Sequence, residues 1–199
     1  MCIRDSISAA ARARAAALMM LALPGSAYLY AGDELGLPQA DVPDEAKRDP
    51  IFSRSNGERA GRDGCRVPMP WNPSEGVGFS PEGAAEPWLP VPADWGRYAV
   101  SVQTGQGGST LTLHRRALAL RKAHPAFASG SATVTTRGDV LTIRSVGGGE
   151  AVRCVVNMGS ETVLAGCPGQ VLLASTAAVR RSGGTVALPP DSAVWVLED

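Results

Sequence analysis

The chain has almost no lysine: Lys47 and Lys122 stand against 17 arginines in 199 residues. That bias reads as a GC-rich coding sequence. Net charge is also missing, because 19 basic residues cancel 19 acidic ones. The halves differ by only a few charges, with 10 basic and 13 acidic residues in 1–100 and 9 and 6 in 101–199. Phosphate binding needs an excess of clustered cations, so the balance argues against a nucleic-acid or acidic-membrane partner. Histidine is limited to His114 and His124, and the cysteines are Cys2, Cys65, Cys154 and Cys167. They form no CxxC pair and no metal-type spacing with the histidines, so neither a metal nor another cofactor is expected. The apolar run Ala15–Leu23 falls short of the roughly 20 residues that span a bilayer. There is no internal repeat. What is present is a globular composition, 44% hydrophobic and 19% charged, enough for one large domain or two small ones.

The first residues admit two readings. Arg4, Arg12 and Arg14 followed by Ala15–Leu23 and small residues have the layout of a secretory signal ending near Ala27. The same stretch also reads as a buried helix from about Ala9 to Leu23, stopped by Pro24-Gly25. The helix reading requires Tyr28-Leu29-Tyr30 to follow as a buried strand, one αβ step of an α/β protein. Met1 to Ser6 fits neither reading and has the look of a sequence artefact.

From Gly32 to about Gly108 the chain is long, polar and broken by Pro and Gly. A connection of that length signals function or insertion, with short helical turns at Asp44–Arg48 and Pro92–Ala99. Ser109–His124 is a second helix, with Leu113, Ala117 and Leu120 on one stripe and Leu111 and Leu118 alongside. Arg115, Arg121 and Lys122 fall on its solvated side, His114 on a surface face, and Pro125 stops it.

After Gly130 short β-prone runs alternate with Gly, Pro, Asp and Ser turns. They are Ala132–Thr136, Val140–Ser145, Ala151–Asn157, Thr162–Leu164, Gln170–Ala174, Thr185–Leu188 and Ala193–Leu197. Val152, Cys154 and Val156 form a period-two face. This spacing predicts a small antiparallel β-sandwich over 129–199, preceded by an α/β unit over 7–128. Cys154 and Cys167 are either bridged across neighbouring strands or two buried reduced thiols of a cytoplasmic protein.

Two motifs carry chemistry. Gly61-Arg62-Asp63-Gly64-Cys65-Arg66-Val67-Pro68-Met69-Pro70-Trp71 places two guanidinium forks, a carboxylate and an indole in a segment that Gly and Pro keep irregular. Forks and aromatic faces suit a polyhydroxylated ligand. Upstream lies Gly32-Asp33-Glu34-Leu35-Gly36. Together, in this order, the two resemble the last barrel strand and following loop of the α-glucosidases of glycoside hydrolase family 13, of the oligo-1,6-glucosidase kind. Arg62 to Trp71 is similar to that family's Arg-Asp-x-x-Arg-Thr-Pro-Met-Gln-Trp segment, with Val67 and Pro70 departing from it.

The resemblance implies the last part of a (β/α)₈ TIM barrel followed by the family's C-terminal β-domain. Active sites lie at the C-terminal ends of barrel strands. It therefore implies Arg62, Arg66, Asp33 and Glu34 as substrate-binding residues, with a loop salt bridge from the arginines to Asp63 or Glu34 as the structural alternative. Trp71 either stacks on sugar or plugs the loop, and the flanking prolines favour the plug. The nucleophile and acid of a retaining glycosidase are implied on earlier strands. No Gly-Phe-Arg-x-Asp and no Asn-His-Asp occurs, and Glu58, Glu82 and Asp94 lack the family context. The expectation is a piece of an α-glucosidase acting on small oligosaccharides, inactive alone, with residues before Ser109 less protected than the sandwich. The alternative is a secreted carbohydrate-binding β-sandwich with a cleaved signal and a Cys154–Cys167 bridge. An accessory subunit of an amino-acid transporter, which would need a membrane anchor, ranks below both.

Overall fold

The structure is a computed structural model that describes residues 7–81, 83–128 and 130–199. Met1 to Ser6, Cys2 and Arg4 among them, lie outside the described residues, as do Glu82 and Ser129.

Alternation along two strands explains the architecture. On β3 (Glu150–Asn157) Val152, Cys154 and Val156 point to one core and Val155 to another. On β8 (Ser192–Leu197) Ala193 and Trp195 join the first core, Val194 and Val196 the second. Successive side chains of a strand face opposite ways, so a sheet apolar on both faces must be covered on both. A five-stranded antiparallel sheet runs in the order β1-β2-β3-β8-β5, with β1 Ser131–Arg137, β2 Val140–Gly147 and β5 Gln170–Ala174. A three-stranded sheet, β4-β7-β6, covers one face, with β4 Val163–Gly166, β6 Arg180–Ser182 and β7 Thr185–Leu188. All seven expected strands form. The extra one, β6, has every residue exposed and so carries no apolar pattern.

Helices cover the other face. Helix α1 (Ile7–Ala22) inserts Ala15, Leu18, Leu21 and Ala22 into the first core. Helix α4 (Thr110–Ala123) adds Leu113 and Ala117, and α5 (Pro125–Ala128) adds Ala126 and Phe127. Between α1 and α4 lie α2 (Pro50–Arg54) and α3 (Val100–Gln103). The Trp195 indole is fully buried, 4.7 Å from the Phe127 ring, and donates to the Leu18 carbonyl at 3.1 Å. Residues Ala15–Ala22 therefore belong to a core helix, as the buried-helix reading expected, while Leu23 lies beyond its end and is exposed. Helix α1 lies before Ser109, among the residues expected to be less protected, and it shares the sandwich core.

Polar groups fix the same junction. Arg12 Nε reaches Asp191 at 2.5 Å, and Arg14 Nε donates to the Ser175 carbonyl at 2.9 Å. Arg121, expected on a solvated face, donates to the Leu21 carbonyl at 2.6 Å and to those of Leu23 and Gly25. It caps α1 because the last carbonyls of a helix lack intrahelical donors. His114, expected on a surface, is buried, with Nδ1 2.9 Å from the Thr110 carbonyl. Cys154 and Cys167 are free and belong to cores on opposite faces of the five-stranded sheet, so the bridge required by the secreted-module reading is not made.

One expected element does not form. Ser26–Tyr30 is irregular rather than a strand, and Tyr28 and Tyr30 are 86% and 53% exposed. A buried parallel strand needs partners on both edges, and the described residues offer this segment none.

Candidate functional site

The long connection has its own small core. Leu35, Leu37, Ala40, Val42, Val67, Leu89 and Trp95 pack together, joined by Leu111 from the α4 face opposite its sheet contacts. Around this core, short 3₁₀ turns occur at Asp44–Ala46 and Trp95–Tyr98, inside both stretches where helical turns were expected.

Two carboxylates hold the loops. Asp63, 3% exposed, accepts from the backbone N–H of Arg48 at 2.6 Å and of Asp49 at 2.8 Å. Asp49 in turn accepts from the N–H of Ile51 at 3.1 Å and of Arg62 at 3.0 Å, and from Arg66 Nη1 at 3.2 Å. The Ile51 and Arg62 amides, with help from the Arg66 and Arg62 charges, hold the Asp49 carboxyl below its ordinary range against the opposing effect of burial. Each aspartate reaches across at least 13 residues of loop. Gly64 permits the close approach: its carbonyl accepts from the Ala40 N–H at 2.8 Å, and a Cβ on it would lie 2.4 Å from the Ala40 carbonyl oxygen.

Against this frame lies a cleft of about 580 Å³. Leu37, Val67, Met69, Leu89 and Trp95 line it from the loop core, and Arg48, Asp63, Cys65 and Arg66 add a polar wall. Tyr30, Phe79 and Trp88 also line it, each more than half exposed. Volume and lining fall within the range of small-molecule sites.

The four residues named from the motifs do not converge. Arg66 lines the cleft. Arg62 does not: its side chain is 77% exposed and its Nε is 4.0 Å from Asp49. Asp33 Oδ2 accepts from the Tyr30 N–H at 3.0 Å, and the Asp33 N–H donates to the Tyr30 carbonyl at 2.9 Å. Glu34 accepts from the Gly32 N–H at 2.9 Å. These two acids shape the turn after Ala31, and Asp33 lines a separate groove beside His114. The loop salt bridge of Arg66 is made chiefly to Asp49, with Asp63 further away at 4.0 Å. Trp71 neither plugs the loop nor lines the cleft: its ring is 49% exposed and its backbone carries the contacts, its N–H donating to the Val77 carbonyl at 2.8 Å.

The motifs do not point to Asp49, Trp88 or Phe79. Asp49 becomes visible only when loops far apart in sequence meet. Trp88 does carry a local signal, a bulky aromatic between Pro87 and Pro90. Chemically, the cleft presents donors and ring faces. Asp63 is the one carboxylate among its lining residues, and two amides already hold it. Retaining hydrolysis takes two carboxyl groups about 5–5.5 Å apart. Among the described residues no group of three His, Cys, Asp or Glu side chains is placed to hold a metal ion. No described helix is long and apolar enough to cross a membrane.

Comparison with known proteins identifies the family. The profile of the alpha amylase catalytic domain matches residues 2–130, and a domain of unknown function, DUF3459, matches residues 129–195. A probable alpha-glucosidase of Rhizobium meliloti is 40% identical over 152 residues, covering 76% of this chain and 27% of its own length. The trehalose synthase/amylase TreS of Mycobacterium tuberculosis is 37% identical over 149 residues, covering 70% of this chain and 22% of its own. Among solved structures, the alpha-glucosyl transfer enzyme XgtA superposes with a TM-score of 0.81 at 33% identity, over 95% of this chain and 36% of that one. The chain thus spans about a quarter of the length of the curated relatives it matches.

Proposed function

The chain belongs to the alpha amylase catalytic-domain family, and on that premise we propose that it forms a substrate-holding wall of an α-glucosidase acting on small oligosaccharides. The observation that carries this reading is Arg66. Asp49 orients its guanidinium at 3.2 Å while the residue lines the cleft, so the fork is fixed before a ligand arrives. A fixed planar fork donates to sugar hydroxyls at little cost in side-chain freedom. Arg62, exposed at the side of the same loop, and Asp33 and Glu34, at the turn after Ala31, remain proposed substrate-binding residues of the whole enzyme. Their backbone roles here set loop shape first.

The nucleophile and acid belong to other parts of the family's catalytic domain, so the chain by itself binds sugar without cleaving it. The proposed units are an end portion of the catalytic domain over 7–128 and a β-sandwich over 129–199. Two free buried thiols support a reducing, cytoplasmic setting. Titration of the purified chain with isomaltose or maltose, followed by calorimetry, tests the binding. We expect saturable heat from the wild type and none from Arg66→Ala. A flat titration of the wild type would refute the sugar-holding role. Turnover of a nitrophenyl α-glucoside well above buffer would refute the division of labour.

A further inference from the structure

The cleft contains an aromatic surface that neither motif singles out. Within Pro87-Trp88-Leu89-Pro90, Leu89 is 4% exposed in the loop core while Trp88 is 79% exposed. Proline fixes its own φ, and the residue before a proline is driven to an extended conformation. The chain bends at Trp88 and Leu89, so that one side chain enters the core and the other leaves it. Burying Leu89 therefore holds Trp88 outward on an anchored backbone. Trp has about 150–250 Å² to bury, and an exposed apolar surface beside polar groups marks a binding surface.

The neighbours in the cleft narrow what binds. Arg48 and Arg66 line the same cleft as Trp88 and Phe79. A hexopyranose has an apolar face of C–H groups and an equator of hydroxyls, so an indole face suits one and a guanidinium fork the other. A protein partner would also bury Trp88, but it would require neither a recess of about 580 Å³ nor donors already oriented inside it.

We propose that Trp88 is a sugar-stacking platform of this cleft, seating one pyranose ring of an α-linked oligosaccharide whose hydroxyls accept from Arg66. This rests on the sugar-holding reading of the cleft and assigns its aromatic contact to Trp88 rather than to Trp71 of the arginine motif.

Cys65 provides a reporter. Its thiol is exposed and lines the same cleft. Cys154 and Cys167 are fully buried, and burial pushes the Cys154 thiol up to about 12, so both stay unreactive in the folded protein. In a Cys2→Ser background, alkylation of Cys65 by iodoacetamide is followed by mass spectrometry against rising isomaltose or maltose, with glycerol as control. Both sugars are expected to slow alkylation. Trp88→Ala is expected to raise the half-protecting concentration by about fivefold or more, Trp88→Phe to recover part of the protection, and Trp71→Ala to change it little. Trp88 is exposed, so its loss does not put folding at stake. Equal protection in wild type and Trp88→Ala, with protection lost in Arg66→Ala, would overturn the platform and leave the sugar site standing. No protection of the wild type by either sugar would overturn both.

Discussion

The two halves of this chain are held by different forces. Around β3 and β8, Val152, Cys154, Val156, Ala193 and Trp195 meet Leu18, Leu21 and Phe127 in a continuous apolar core, with helices on one face and a second sheet on the other. From residue 32 to 108 a smaller core is ringed by loops whose shape depends on Asp49 and Asp63. Apolar burial is non-directional and grows with area, so it builds rigid layers. Carboxylate-to-amide bonds are directional and fix particular loop crossings. The site sits on the second kind of structure, where a few atoms decide the shape of the cleft.

The sharpest way to break this contrast is to remove the ring that joins both sides of the first core. Trp195→Ala deletes a fully buried indole and its bond to the Leu18 carbonyl. It should cost about 3–5 kcal/mol. Because α1 and the sheet share that core, urea melts followed by far-ultraviolet dichroism should show helix and sheet lost together. Separate transitions for α1 and the sandwich would show that the shared core is weaker than its packing indicates.

Asp63→Ala probes the loop side. It leaves the Arg48 and Asp49 amides without their acceptor, a cost of about 1–3 kcal/mol. The loss should stay local, with limited proteolysis becoming faster between about residues 48 and 66 while Trp195 stays protected. A cooperative fall in global stability of the same size would mean that the loops and the layered core unfold as one unit.

Some of this contrast was legible in the sequence. Short β-prone runs bounded by turn residues marked seven strands, with a period-two apolar face visible on Val152, Cys154 and Val156. The exposed strand Arg180–Ser182 pairs with β7 through its backbone and has no such face. Helix Thr110–Ala123 was legible from its stripe, yet Leu111 serves a different core from Leu113, which a single stripe does not reveal. The motif pointed to the loop and to Arg66, which lines the cleft. Its organiser, Asp49, lies 13 residues before Arg62 with no fixed spacing rule between them. Tyr28-Leu29-Tyr30 has strand composition, but composition supplies no pairing partner.

Acid should separate the regions further. Asp49 titrates below its reference value of 3.8 in the folded protein. A lowered folded pKa gives stability that is fully present above the unfolded value and is lost as pH falls through the folded one. The loop should therefore keep its Ile51 and Arg62 amide bonds at neutral pH and release them only below about 3.8. Amide chemical shifts of those two residues should share one midpoint in that range. Asp49→Asn should remove the titration and leave the sandwich amides unmoved. A midpoint at or above the reference value would show that Asp49 is not the staple.

The smallest effect on stability is expected at Tyr28, and it bears on the same contrast from its exposed side. The ring is 86% exposed on an irregular segment, Ser26–Tyr30, whose neighbour Tyr30 is also more than half exposed. A side chain with so little burial contributes little to folding, so Tyr28→Ser should shift stability by no more than about 0.5 kcal/mol. Exposed apolar residues on a segment outside either sheet are nonetheless a liability for self-association. Tyr28→Ser should therefore lower the scattering of concentrated solutions while leaving the melt unchanged. Should the substitution cost well over about 1 kcal/mol instead, Tyr28 packs against the fold in solution, and the segment belongs with the layered core rather than with the loops.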